Sequence, residues 1–196
     1  MAQMTKRALE ASLKQLLLQK PLNKITINDI AEECGISRMT FYYHFKDIYD
    51  LVEWACVEDA AQVLKGKKTY DTWQEGFLSI FYAVQANKPF IMNVYRCVSR
   101  ERIEQYLNPL IHRLILGVVE EKAAEMEVDK SDKNFIAEFY EYAFIGIMLR
   151  WIGDNMKEDP SLIVERTSRL IHGNIVQGLN AFRTDRSLHT GQDDKI

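Results

Sequence analysis

The chain has 196 residues and a formal net charge of −3, with 47% hydrophobic and 27% charged residues. This is the composition of a globular protein, and it excludes a disordered or fibrous chain. Because the overall charge is slightly acidic, it also excludes a protein that coats nucleic acid in bulk, so any DNA binding has to be local.

Apolar residues in the first twenty positions repeat at the spacing of an α-helix. Leu9, Leu13 and Leu17 lie on one helical face. The helix is predicted to end near Lys20, because Pro21 follows directly.

Two short helices joined by a tight turn are predicted next. The first covers residues 27–34, where Thr26 can cap the N-terminus and the carboxylate three positions later can complete a capping box. Gly35 stands where a left-handed residue commonly follows a helix, and Ser37 can cap a second helix over residues 38–44. This order of elements is typical of a helix-turn-helix.

The rest of the chain is predicted to be helical as well, so the expected fold class is all-α. A fourth helix runs from residue 48 to about 64, and a polar break at residues 65–68 marks a seam between two domains. Pro109 is expected to break or kink one later helix. The later helices are predicted at 71–87, 89–98, 101–124, 132–157 and 161–183.

The second helix of the motif has an outer face that is unusual for a solvated helix. Phe41 and Phe45, four residues apart, define its buried side. The opposite side presents Met39, Thr40 and Tyr43, where a solvated helix normally carries Glu, Lys and Gln. Such side chains suit a helix in the major groove that reaches base edges while flanking groups reach phosphates. The flanking residues are Arg38, Tyr42 and His44.

The stretch ITINDIAEECGISRMTFYYHFKDIYDLV, residues 25–52, resembles the DNA-binding head of the TetR family of transcriptional regulators. The resemblance implies that Met39, Thr40 and Tyr43 face the groove. It implies phosphate contacts for Thr26, Tyr42, His44 and Lys46, and a base contact for Asn28. With the turn cap and the flanking arginine added, the predicted DNA-binding residues are Thr26, Asn28, Ser37, Arg38, Met39, Thr40, Tyr42, Tyr43, His44 and Lys46.

Two features indicate a small DNA footprint. Many family members carry a second lysine two residues after Lys46, whereas this chain has Ile48, so one phosphate contact is missing. Residues 1–50 carry seven basic side chains against six acidic ones. Charge alone therefore does not drive binding, and helix N-termini and hydroxyl groups must contribute.

The later helices have more apolar surface than one packed face can bury. On the helix predicted at 132–157, apolar residues cover more than half of the circumference, and the last helix adds residues such as Ile175. Two such helices predict a four-helix interface across a two-fold axis, and hence a homodimer, with one large monomeric core as the alternative.

The same region is rich in aromatic and methionine side chains. They indicate either a packed core or a cavity for a small-molecule effector, and the family resemblance favours the cavity. More weakly, this region resembles the effector region of regulators of dihydroxyacetone kinase genes, through the segment WIGDNMKEDP. The predicted ligand-binding residues are Phe81, Tyr95, Phe144, Met148 and Trp151.

No pattern of a catalytic, metal or cofactor site is found. The three cysteines are far apart, the histidines have no paired-ligand spacing, and the glycines form no phosphate-binding loop. We therefore expect no enzyme, no cofactor and no metal. The cysteine usage, the charged N-terminus and the short apolar runs predict a cytoplasmic protein with no membrane partner.

These observations predict a homodimeric transcriptional regulator that binds a near-palindromic DNA operator, with an affinity modulated by a small-molecule or protein effector. Two alternatives stay open. One is a co-activator that acts through a partner protein and binds DNA weakly; the other is an all-α small-molecule carrier or enzyme with a vestigial head. The predicted domains are a DNA-binding head at 1–50, a ligand-binding and dimerisation domain at 51–184 and a flexible tail at 185–196.

Overall fold

The computed structural model describes residues 2–66 and 69–185, and it confirms the all-α fold class. Within these residues no β-strand is present, although Val128 and Arg183 form an isolated antiparallel bridge. None of the described helices is long and apolar enough to cross a membrane. The helices are α1 (Ala2–Leu16), α2 (Ile27–Cys34), α3 (Arg38–His44), α4 (Ile48–Val63), α5 (Trp73–Ala86), α6 (Lys88–Cys97), α7 (Arg100–Lys122), α8 (Lys130–Gly153), α9 (Pro160–Ile171) and α10 (Asn174–Ala181).

The helix-turn-helix forms with the predicted capping groups. The Thr26 hydroxyl accepts a hydrogen bond from the Asp29 N–H at 3.2 Å, and the Asp29 carboxylate accepts one from the Thr26 N–H at 2.7 Å. A hydrogen bond from Lys20, together with those from Thr26, lowers the pKa of Asp29 to about 2. Gly35 is left-handed with φ of 69°, and Ser37 accepts from the Thr40 N–H at 3.1 Å. The start of α2 and the turn between α2 and α3 are therefore both determined by local contacts.

The head packs α1, α2 and α3 around buried apolar side chains. Phe41 and Phe45 are buried, as the helical spacing predicts, and they share a core with Leu9, Leu13 and Ile30. Helix α4 packs against α1 of the head and also against α5 and α7. The predicted boundary after residue 50 falls within α4, so this helix connects the head to the remaining helices.

Two predicted helix ends among the later helices are wrong. The helix predicted at 161–183 ends at Ile171, because Gly173 adopts a left-handed φ of 78° and α10 starts anew. Helix α8 ends at Gly153, short of residue 157. Helix α7 runs on through Pro109, where the carbonyl of Gln105 loses its usual donor, so the helix is not broken there and the kink stays a prediction.

A second cluster of buried residues joins α7, α8 and α10. Val119, Ala137 and Leu179 are fully buried there, and Ile175 is 5% exposed within the single chain. Ile175 therefore lies in the core of the protomer rather than on its surface, in contrast to its expected place at a dimer interface. The polar tail predicted at 185–196 lies outside the described residues, apart from Asp185.

Candidate nucleic-acid interface and ligand cavity

The outer face of α3 consists of large, uncharged side chains that are open to solvent. Tyr43 is 82% exposed and Met39 is 77% exposed, while Phe41 on the opposite side is fully buried. Thr40 is half-buried beside them. A helix of seven residues thus presents apolar and hydroxyl groups on one face and fixes its orientation through the other.

The residues that flank this face contact one another. Arg38 donates to the Tyr42 hydroxyl at 3.2 Å and lies over the Tyr42 ring. The His44 ring meets the edge of the Tyr43 ring at 5.0 Å. The Ser37 and Thr40 hydroxyls share a hydrogen bond of 2.9 Å. These contacts order the side chains at both ends of α3.

The remaining predicted contact residues lie at helix starts around α3. Thr26 and Asn28 are exposed at the N-terminus of α2, where the Thr26 hydroxyl is engaged with Asp29. Lys46 is exposed between α3 and α4, and its backbone N–H donates to Asp50 at 2.8 Å. Eight of the ten predicted DNA-binding residues thus lie on α3 or within two residues of its ends, and the other two, Thr26 and Asn28, lie at the start of α2.

Several basic side chains of the head form ion pairs with acidic side chains of the same chain. Lys14 and Arg7 of α1 each contact both Glu10 and Asp59, at 2.5–2.9 Å. Lys20 pairs with Asp29 at 2.8 Å. Arg7 and Lys14 thus hold α1 to α4, and Lys20 holds the segment after α1 to α2. Because their charges are paired, these cations contribute less to the electrostatic field at the α3 surface than their number suggests.

A cavity of about 210 Å³ lies among α4, α5, α6, α7 and α8, and Ile171 of α9 and Ile175 of α10 complete its wall. Tyr95, Phe144 and Met148, three of the five predicted ligand-binding residues, line it. Phe81 and Trp151 do not line it; their rings pack at 4.8 Å in the buried core. The Trp151 indole also donates to the Glu158 carbonyl at 2.8 Å, which ties it to the turn after α8.

The cavity wall is mostly aliphatic and aromatic, with a few polar groups. Asp59 lines it and accepts hydrogen bonds from Lys14 and Arg7. Burial raises the pKa of Asp59, but these two cations outweigh burial and the net pKa lies below the ordinary value. Burial raises the pKa of Cys56 to about 12, so Cys56 presents a neutral thiol.

Tyr106 also lines the cavity and is 8% exposed. Its hydroxyl is buried and has no hydrogen-bond partner in the described part of the chain. Burial raises its pKa, so the phenol stays protonated. The sequence analysis missed Cys56, Asp59 and Tyr106; the first two share a helical face at a spacing of three, but a spacing alone does not distinguish a cavity wall from a core.

Among residues 2–66 and 69–185, no group of three or more His, Cys, Asp or Glu side chains is placed to hold a metal ion. The paired titratable side chains of the C-terminal helices include His112 and Glu141, at 2.9 Å between α7 and α8.

Two family models match the chain. The model described as bacterial regulatory proteins, tetR family, matches residues 9–55. The model described as transcriptional regulator C-terminal region matches residues 71–173. Together they cover the helix-turn-helix and most of the helices that enclose the cavity.

Comparisons with individual proteins agree with these models. The chain is 23% identical over 164 residues to the HTH-type dhaKLM operon transcriptional activator DhaS of Lactococcus lactis subsp. lactis (strain IL1403), covering 82% of this chain and 87% of the relative. A solved structure of the dihydroxyacetone kinase operon activator DhaS aligns with a TM-score of 0.67 at 18% identity, covering 92% of this chain and 98% of that one. Thermus thermophilus FadR, a TetR family repressor in complex with lauroyl-CoA, aligns with a TM-score of 0.61 at 14% identity, covering 89% and 94%.

Proposed function

The chain belongs to the TetR family of bacterial transcriptional regulators, and from this premise we propose that it binds a near-palindromic operator as a homodimer. An effector that enters the C-terminal cavity alters the DNA affinity. The observation that carries the proposal is the solvent-exposed face of α3, where Tyr43 and Met39 project from a helix anchored by the buried Phe41.

In this proposal the contacts divide into base readout and positioning. Met39, Thr40 and Tyr43 meet base edges in the major groove, where apolar surface can contact a thymine methyl group. Asn28 at the start of α2 reaches a further base. The phosphate contacts come from Thr26, Ser37, Arg38, Tyr42, His44 and Lys46, which surround that face.

The proposed dimer interface is an apolar face of α8. Phe135, Phe139 and Tyr142 follow one another at helical spacing, and all three are more than half exposed. Leu170 on α9 is also well exposed. A contiguous set of large exposed aromatic rings is typical of a protein–protein interface, and a second copy of the same face would cover it by two-fold symmetry.

Helix α4 provides a route from the cavity to the head. Asp59 lines the cavity and holds Lys14 and Arg7 of α1, and α4 starts four residues after the end of α3. An effector that binds more tightly when α4 is in one of two positions shifts the equilibrium towards that position. The movement of α4 then changes the spacing of the two heads. This proposal assigns residues 1–50 to DNA binding and residues 51–184 to effector binding and dimerisation.

The test is a DNA titration by fluorescence anisotropy, using a fragment from the promoter region of the chain's own gene and a scrambled fragment. Tyr43→Ala is expected to weaken binding to the promoter fragment by about 1–3 kcal/mol and to leave the scrambled fragment nearly unchanged. The matched control is Tyr82→Ala, which removes an exposed tyrosine from α5. Equal promoter binding by Tyr43→Ala and the wild type would refute base readout by α3.

The co-activator alternative has one observation in its favour. Ile48 stands where many family members carry a lysine, and Lys14, Lys20 and Arg7 are engaged in internal ion pairs. In that case a purified dimer has no specific affinity for the promoter fragment and gains it when a partner protein is added. The matched relatives named above are transcriptional regulators, and a carrier or enzyme with a vestigial head has no such observation in its support.

A further inference from the structure

We propose that Arg102, at the start of α7, binds a DNA phosphate next to the phosphate contact of Lys46. This inference rests on the proposed function, since it adds one contact to the same DNA interface. Arg102 lies outside residues 1–50, so the DNA-binding surface includes a side chain from the C-terminal helices. The proposal depends on the position of Arg102 beside α4, on its free hydrogen-bond donors and on the charges around it.

The Arg102 side chain lies against the first turn of α4. Its guanidinium carbon is 4.7 Å from the centre of the Tyr49 ring. Tyr49 is the second residue of α4 and directly follows Ile48, which stands where many family members carry a lysine. Lys46 is only three residues before Tyr49. Arg102 therefore brings a positive charge from α7 to the end of α4 that adjoins α3.

The guanidinium of Arg102 is free to bind an anion. Arg102 is exposed, and among residues 2–66 and 69–185 its side chain forms no ion pair or hydrogen bond. The contact with the Tyr49 ring is an attraction to the π-electrons, so it orders the side chain without occupying a hydrogen-bond acceptor. An arginine with free N–H groups can donate two parallel hydrogen bonds to a phosphate.

Other cations of the same region are paired. Arg100, two residues earlier on α7, donates to the Glu104 carboxylate at 2.7 Å. Lys20 of the head pairs with Asp29 at 2.8 Å. A cation that already has a carboxylate partner attracts a phosphate less strongly than an unpaired one. Arg102 is therefore better suited to a DNA phosphate than Arg100, although both are arginines at the start of α7.

Carboxylates at the start of α4 make a cation necessary there. Asp47, Asp50 and Glu53 lie in this region, and the Asp47 carboxylate accepts a hydrogen bond from the Asp50 N–H at 2.9 Å. Burial raises the pKa of Tyr106, Arg102 lowers it, and Glu53 and Asp47 raise it further, so these charges surround one hydroxyl of α7. A phosphate that approaches the start of α4 is repelled by the carboxylates, and Arg102 offsets this repulsion.

The test measures how DNA binding by the full chain depends on salt. A phosphate contact releases counterions whatever the base sequence, so it is seen in the slope of the logarithm of the binding constant against the logarithm of the salt concentration. Fluorescence anisotropy titrations at several salt concentrations use the promoter and scrambled fragments. Arg102→Ala should weaken binding to both fragments by about three- to tenfold per half-site at about 0.1 M salt, and should reduce the slope by about 0.9 per half-site.

Arg100→Ala is the matched control, because it removes the same charge from the same turn of α7 and should leave the slope unchanged. Two further variants separate a phosphate contact from a purely structural contact with Tyr49. Arg102→Lys keeps the charge, and Tyr49→Leu removes the ring but keeps the cation, so both should retain most of the slope. If Arg102 only fastens α7 to α4, Arg102→Ala and Tyr49→Leu will lower the Tm alike while neither changes the slope, and the proposal is overturned.

The scrambled fragment separates this inference from the proposed function. An unchanged slope in Arg102→Ala, or an equal change in Arg100→Ala, would overturn the phosphate contact and leave base readout by Tyr43 standing. Equal promoter binding by Tyr43→Ala and the wild type would instead refute base readout. In that case the slope measured on scrambled DNA still decides whether Arg102 binds a phosphate.

Discussion

Removal of one aromatic ring from the exposed face of α8 should dissociate the proposed dimer. Phe139 is 64% exposed in the single chain. A phenylalanine side chain buries about 200 Å² when fully covered, so about 130 Å² of Phe139 is available to a partner. At about 25 cal/mol per Å², this corresponds to roughly 3 kcal/mol for each copy. Phe139→Ala therefore weakens the dimer by about 6 kcal/mol, because two-fold symmetry removes both copies.

That loss corresponds to about four orders of magnitude in the dimer Kd. Sedimentation velocity from nanomolar to micromolar concentration measures it directly. Tyr82→Ala is the control, since it removes a ring that is 49% exposed on a different helix, α5. A Phe139→Ala variant that stays dimeric over the same range as the wild type would refute this interface. A charge at Ile175 does not test it, because Ile175 is buried within the protomer.

Three further predictions concern single side chains. Lys46→Ala should weaken binding to promoter and scrambled DNA alike. It should also reduce the dependence of the logarithm of the binding constant on the logarithm of the salt concentration by about 0.9 per half-site, because one counterion fewer is released. An unchanged salt dependence in titrations at several salt concentrations would contradict a phosphate contact. The pKa of Asp59 lies below its ordinary value of 3.8. The ionised Asp59 carboxylate therefore stabilises the fold at pH values above 3.8, and this stabilisation is lost as the pH falls through the lowered pKa. In the wild type the free energy of unfolding should therefore fall as the pH drops below about 4, and in Asp59→Asn it should fall less. Urea denaturation from about pH 2.5 to pH 7 measures this difference. Cys56, whose pKa is about 12, should resist iodoacetamide at pH 8 in the folded protein and react after unfolding in urea, as followed by mass spectrometry.

The sequence by itself determined the head, because its signals act over a few residues. The capping box of Thr26 needs only the carboxylate three positions later, and Gly35 tolerates a left-handed conformation whatever its surroundings. The angular position of Phe41 relative to Tyr43 on one helix similarly follows from the 100° rotation per residue. Burial of Phe41 and exposure of Tyr43 were therefore predictable without knowledge of the rest of the fold.

Only the tertiary structure decided which apolar residues face a cavity, a core or solvent. Phe81, Phe144 and Trp151 have the same apolar character, yet Phe144 lines the cavity while the other two pack in the core. Ile175 and Phe139 likewise both lie on apolar helices, but α7 and α8 cover the first and no described element buries the second. Helical spacing specifies a direction around one axis, whereas burial depends on the neighbouring helix that occupies that direction, and that neighbour is distant in the sequence.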